Sequence, residues 1–225
     1  MSEELRELEE RFGGIIGTIE RYNPSNLGFF AEYFEKTLEE NYYDLDVCLA
    51  ILKLYQFNPT YFNLPTACTV LLKALTGMPD NDFFLCASLL TVESQQQRPI
   101  QQLMYLHQLL ESCRFAEFWV RCGRPAITRP LFVTVVGFVE TIREYAAYII
   151  QSTYQHVSVD VVREMTNIKD AAALEEFAKS HEWTKEGDNY MVSRKDDVVV
   201  SKTVVEKIEF GGELLLPIIL SFCVT

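Results

Sequence analysis

Basic residues are scarce in this chain: 20 Lys and Arg stand against 32 Asp and Glu, a formal net charge of −12. Phosphate backbones recruit Lys and Arg, so this balance speaks against a general nucleic-acid platform and for an ordinary acidic, soluble surface. Histidine is scarcer still, with only His107, His156 and His181. The nearest cysteine to His107 is Cys113, six residues on, which puts the pair off a common helical face, so no metal-like grouping is expected. The six cysteines, Cys48, Cys68, Cys86, Cys113, Cys122 and Cys223, form no Cys-x-x-Cys pair and read as reduced, mostly small core residues of a cytosolic protein. Gly-x-Ser-x-Gly, a phosphate-cradling Gly-rich loop and His-Glu-x-x-His are all missing, and with them the common hydrolase, nucleotide-binding and metalloprotease signatures. Asn23 and Asn58 are each followed by Pro, which excludes both as glycan acceptors. The charged, amphipathic start MSEELRELEERFGG is not expected to be a signal peptide. A long apolar run is also lacking: Leu214–Val224 covers about 11 residues and carries Pro217, whereas a bilayer span takes about 20.

What is abundant is apolar side chain, at 48% hydrophobic with 12% aromatic, enough for a real core. Residues 1–154 read as helix after helix. Leu27, Phe30, Ala31, Phe34 and Leu38 make one stripe, behind Ser25 as a cap. Tyr43, Val47, Ile51 and Leu54 make another, while Leu45, Leu49 and Leu52 add a second apolar face, so that helix is expected at the centre. Further helices are predicted at 66–76, 81–95, 99–111 and 114–121, separated by Pro65, Gly77 with Pro79, and Pro99. Short connections of this kind favour antiparallel hairpins. One phrase occurs twice: Arg21-Tyr22-Asn23-Pro24 returns 35 residues later as Gln56-Phe57-Asn58-Pro59. Pro forces a corner and Asn tolerates its backbone, and the period is in the range of stacked helix hairpins.

The Pro/Gly/Arg-rich stretch 121–130 interrupts the pattern, and a long apolar helix is predicted from 132 to 154. Two short helices follow, Val159–Met165 and Ala171–Lys179, the second opened by Asp170. Trp183-Thr184-Lys185 and Tyr190-Met191-Val192-Ser193 then flank the turn residues Glu186-Gly187-Asp188-Asn189, with Val198–Val200 as a possible third strand. Helix, helix, hairpin is the order of a winged helix. The predicted architecture is mainly α: a HEAT-like helical-hairpin array over 1–131, a coupling helix over 132–154, a winged-helix domain over 155–210 and an apolar tail over 211–225. Residues 155–210 hold 8 Lys and Arg against 12 Asp and Glu, so this winged helix is acidic and no basic platform. Arg121, Arg124 and Arg129 read as a solvated loop, Phe115, Phe118 and Trp119 as core, and Glu39-Glu40 with Asp44 and Asp46 as caps and a wet face.

This layout resembles the PCI-type architecture of large cytosolic complexes. The wording of the chain narrows the resemblance: Arg21-Tyr22-Asn23-Pro24, Leu52-Lys53-Leu54-Tyr55-Gln56-Phe57-Asn58-Pro59, Arg98-Pro99-Ile100, Thr153-Tyr154-Gln155-His156 and Val205-Glu206-Lys207-Ile208-Glu209-Phe210, in order over roughly 15–210, are similar to the k-subunit family of eukaryotic translation initiation factor 3. The resemblance implies a non-catalytic, cofactor-free scaffold subunit in the cytoplasm, paired with the l subunit and carried to the small ribosomal subunit by the complex. The loop near 121–130 and the apolar tail depart from the family's pattern. A PCI-type subunit of the proteasome lid or the COP9 signalosome is the alternative. Within the expected winged helix, Trp183, Tyr190, Met191 and Val192 are the candidate partner-binding residues, with Trp183 equally placed as core.

Overall fold

The structure, a computed structural model, describes residues 2–123 and 135–192. These residues belong to one compact unit and are mainly α-helical. The helices are α1 (Glu3–Ile16), α2 (Leu27–Glu39), α3 (Leu45–Phe57), α4 (Leu64–Leu75), α5 (Asp82–Ser88), α6 (Val92–Gln95), α7 (Arg98–Glu111) and α8 (Phe115–Cys122), then α9 (Phe138–Thr153), α10 (Val159–Thr166) and α11 (Ala171–Ser180). Through α5 each helix packs on its sequence neighbour, and α4 also meets α7, the pairing that short connections dictate. α3 sits centrally, touching α2, α4 and α5, with Val47, Ile51, Leu52 and Leu54 at most 1% exposed.

Both Asn-Pro phrases are corners. Asn23 Oδ1 accepts from Ser25 N at 3.0 Å and opens the one-turn 3-10 segment Pro24–Asn26. Asn58 donates Nδ2 to Leu54 O at 3.1 Å, ending α3 before a second 3-10 turn, Pro59–Tyr61. The two corners lie side by side: the Tyr22 and Phe57 rings meet edge-on with centroids 5.6 Å apart. Ser25 lies inside the first 3-10 turn and does not cap α2, whose N-cap is Asn26. The single helix expected at 81–95 is broken at Leu89–Thr91. Thr91 Oγ1 accepts from Ser94 N to start α6, and Gln95 Nε2 donates to the Ala87 and Leu90 carbonyls at 3.0 and 3.1 Å, satisfying groups the break leaves open.

α9 begins at Phe138, later than the predicted 132, because Gly137 adopts φ +73° in a turn just before it. The Asn41 amide lies 2.6 Å from where a Cβ on Gly137 would stand, so any other residue there would have to displace it as well as adopt a left-handed backbone. α9 serves two cores: Phe138, Ile142, Tyr145 and Ala146 join the large helical core, while Ala147 and Ile150 join a smaller one with Val157, Val162, Leu174 and Trp183. Three strands complete the smaller body: β1 (His156–Ser158), β2 (Thr184–Glu186) and β3 (Asn189–Met191), all antiparallel in the order β1-β3-β2. Gly187 (φ +63°) turns the hairpin. Asp170 Oδ2 caps α11 through Ala173 N at 3.2 Å, as the sequence suggested. Polar contacts tie the bodies, among them Trp119 Nε1, which donates to Met165 O at 2.8 Å, and Arg143 Nε, which donates to Thr166 O at 3.1 Å. The start of the predicted coupling helix at 132–134, Arg124, Arg129, Cys223, the strand at Val198–Val200, the segment Val205–Phe210 and the tail 211–225 lie outside the described residues.

Candidate interaction surface

β3 alternates: Asn189 and Met191 point out, and Tyr190 points in. Direct cross-strand partners share a face, so the register puts His156, Met191 and Thr184 in one row on the outer side, and Ser158, Asn189 and Glu186 in a second. Of the four predicted residues, only Met191 reaches solvent, at 38% exposed; Trp183 (5%), Tyr190 (2%) and Val192 (3%) are core. Their rings form one chain: Phe177 meets Trp183 edge-on at 6.0 Å, His181 lies 5.4 Å from Trp183, and Tyr190 follows at 6.3 Å. Trp183, Tyr190 and Val192 thus form a stiff floor beneath a sheet whose outer face is wet. Trp183 Nε1 is buried without a hydrogen-bond partner among the described residues. Lys185 Nζ pairs with Glu175 at 2.6 Å, pinning β2 to α11. That pairing raises the lysine's pKa and lowers the carboxylate's. His156 is exposed in β1 opposite Met191, a neighbourhood its short strand concealed.

The remaining polar groups have structural partners. Asp44 caps α3 through Asp46 N (2.8 Å) and accepts from Tyr33 Oη (2.8 Å), while Glu39 pairs with Lys36 and Glu40 accepts from Ser2 N at 2.7 Å. Tyr33 and Tyr43 are pushed well above the usual phenol range, chiefly by burial, and Tyr43 Oη donates to Asp82 at 2.7 Å. Burial raises the thiols too: Cys68 to about 11, Cys86 to about 12, Cys122 to about 12, and Cys48 well above its ordinary value. At neutral pH these are un-ionised thiols, which are poor nucleophiles. His107 stacks on Phe83 at 4.3 Å and burial lowers its pKa. His181 Nε2 donates to Glu144 at 2.9 Å, linking the end of α11 to α9. Phe115 and Phe118 are core, and the Arg121 guanidinium lies 5.1 Å over the Tyr105 ring. Among the described residues there is no group of three or more His, Cys, Asp or Glu that could hold a metal ion, and no helix long and apolar enough to cross a membrane.

Comparison with known proteins identifies the class of chain that carries this surface. The family model described as the CSN8/PSMD8/EIF3K family matches residues 61–203. Eukaryotic translation initiation factor 3 subunit K of Homo sapiens is 34% identical over 209 residues, covering 92% of this chain and 94% of that protein. The Xenopus laevis protein of the same name is 36% identical over the same shares, and that of Drosophila willistoni 34% identical over 88% of each chain.

The chain belongs to the CSN8/PSMD8/EIF3K family. Its relatives span nearly the whole length, so the likeness takes in the helical array and the small sheet body together.

Proposed function

We propose that this chain is a non-catalytic scaffold subunit of eukaryotic translation initiation factor 3, acting in the cytoplasm by binding protein partners during initiation on the small ribosomal subunit. The observation that carries the reading is the 34–36% identity, over more than nine-tenths of both chains, to proteins named as subunit K. The mainly helical fold accords with a binding role. The chain is proposed to be organised as a HEAT-like array over 1–131, a coupling helix over 132–154, a winged helix over 155–210 and a tail over 211–225. Support for the winged helix comes from α10, α11 and the β2–β3 hairpin, which occur in that order on one small core. Its outer sheet face, with Met191 at the centre and Trp183, Tyr190 and Val192 as the floor, is the proposed contact for the l subunit. Direct RNA contact is not part of the proposal, since the chain carries −12.

The test is affinity capture of the tagged full chain from cytosol, with mass spectrometry of what is retained. Initiation-factor chains, the l subunit among them, with small-ribosomal proteins are the expected result. Proteasome-lid or COP9-signalosome chains in their place would assign the protein to another assembly of PCI-type subunits. A folded chain that fails to bind a purified l subunit would remove the proposed pairing.

A further inference from the structure

One side of α3, the one that carries Leu49, has no role in the surface described above. Its stripe of Asp46, Leu49, Ala50 and Lys53 follows the i, i+3, i+4, i+7 spacing of one helix face and lines a groove. Leu85 and Ser88 from α5, the adjacent Leu89, and Ile16 with Arg21-Tyr22 complete its lining. The groove encloses about 460 Å³ and is open to solvent. Leu85 is 46% exposed on its wall. Beside it stand the two corner rings, Tyr22 and Phe57, at 37% and 56% exposed and braced edge-on against each other. A leucine-walled furrow between two helices suits a third helix that buries its own apolar stripe there.

Charge selects the kind of helix. In a chain of net charge −12, this groove carries two cations, Arg21 and Lys53, against the single carboxylate of Asp46. Neutral groups hold both cations in place. The Arg21 guanidinium lies 4.6 Å over the Tyr22 ring, and Lys53 Nζ stands 5.0 Å from the Phe57 centroid while donating to Gln56 Oε1 at 2.9 Å. Among the described residues neither cation is paired with a carboxylate. Two cations that outnumber the one carboxylate and have no ion-pair partner among the described residues, on the edge of an apolar furrow, favour a ligand that brings carboxylates with its leucines.

We infer that this groove docks an acidic amphipathic helix from another protein chain, one with Leu, Phe or Met at helical spacing and Asp or Glu flanking that stripe. The inference rests on the groove alone and stands whichever assembly captures the chain. It is tested on the full chain with two labelled helical peptides of about 16 residues. They share one Leu/Phe stripe and differ only in carrying Glu or Lys beside it, and binding is followed by fluorescence anisotropy at two salt concentrations. The Glu peptide is expected to bind and to weaken as salt rises. Its affinity should drop about tenfold with Arg21→Glu and Lys53→Glu combined, while the Lys peptide gains on that variant. Circular dichroism checks that the variant is folded. Should it unfold, Leu85→Asp at a half-exposed position must abolish binding of the Glu peptide instead. Equal binding of the two peptides, or binding of neither by folded protein, overturns the inference. So does a concentration-dependent dimer, seen by sedimentation, that Leu85→Asp dissolves, because the occupant would then be a second copy.

Discussion

Replacing Trp183 by Phe removes an indole N–H that is buried and meets no acceptor among the described residues. Two effects oppose each other. The smaller ring gives up burial worth roughly two carbons, about 1.6 kcal/mol at about 0.8 kcal/mol each. Against this, a buried donor left without a partner costs about 1–3 kcal/mol, and the substitution removes that cost. The phenyl ring keeps its edge-on approach to Phe177, now 6.0 Å from the indole, and its contact with Tyr190. The net change therefore lies between a loss of about 0.6 and a gain of about 1.4 kcal/mol, leaning towards stabilisation. Trp183→Ala, which empties the centre of the small core, should cost about 3–5 kcal/mol. Urea unfolding followed by circular dichroism measures both without relying on tryptophan fluorescence. A loss above about 2 kcal/mol in Trp183→Phe would show that the indole N–H is hydrogen-bonded in the native protein, and the argument would fail. Capture of partner chains by Trp183→Phe should match the parent, since at 5% exposure the residue lies beneath the proposed contact face, on which Met191 is the exposed residue.

The contact between the two cores is tested by Trp119→Phe, which strands the Met165 carbonyl and should cost about 1–3 kcal/mol in urea unfolding; an unchanged midpoint would show that the bond contributes nothing. Alkaline stability follows from the buried groups. Cys68, Cys86 and Cys122 keep their protons in the fold to about 11–12 while the unfolded thiols ionise near pH 8.5, so stability present below that pH is lost as pH rises. Lys73 works the other way: burial lowers its pKa, the unfolded state holds more protons, and its contribution improves with rising pH. Lys73→Met should accordingly decline more steeply than the parent between pH 8 and 10, by at most about 1.4 kcal/mol per pH unit, and parallel curves would refute the assignment. Combining Glu144→Gln with His181→Gln should show a coupling of about 0.5–1 kcal/mol between α9 and α11 in a double-mutant cycle at low salt, against strict additivity if the 2.9 Å contact carries no energy.

Much of this fold was legible because its signals are local. Pro65 and Pro99 sit in the first turns of α4 and α7, Asp170 caps α11, and Gly187 turns the hairpin, each for a reason confined to a few residues. The misses needed information from elsewhere in the chain. The break at Leu89–Thr91 depends on Gln95 reaching back to two carbonyls, which periodicity does not register. β1 has three residues, too few to show alternation, and exists only because β3 returns beside it. Trp183 read equally well as surface or core, and Tyr190 and Val192 as surface; their burial depends on the small core that α9, α10 and α11 build beneath the hairpin, contacts distant in sequence.

The apolar all-round character of α3 shows the same limit more sharply. Val47, Ile51 and Leu54 on one side and Leu49 on the other read alike in sequence, and both faces suggested burial. In the fold the first face is closed by α2 and α4, while Leu49 looks into an open groove with Leu85. What distinguishes them is the position of the two Asn-Pro corners. By bringing Tyr22 to Phe57, the corners set Arg21 and Lys53 on the rim of that groove. A helix buried on that side would have no use for cations there, because a buried unpaired charge is costly. The cations and the leucines are compatible on one face because that face is open to water, and the repeated phrase is the architecture that sets them there, on the groove inferred above to take an acidic helix.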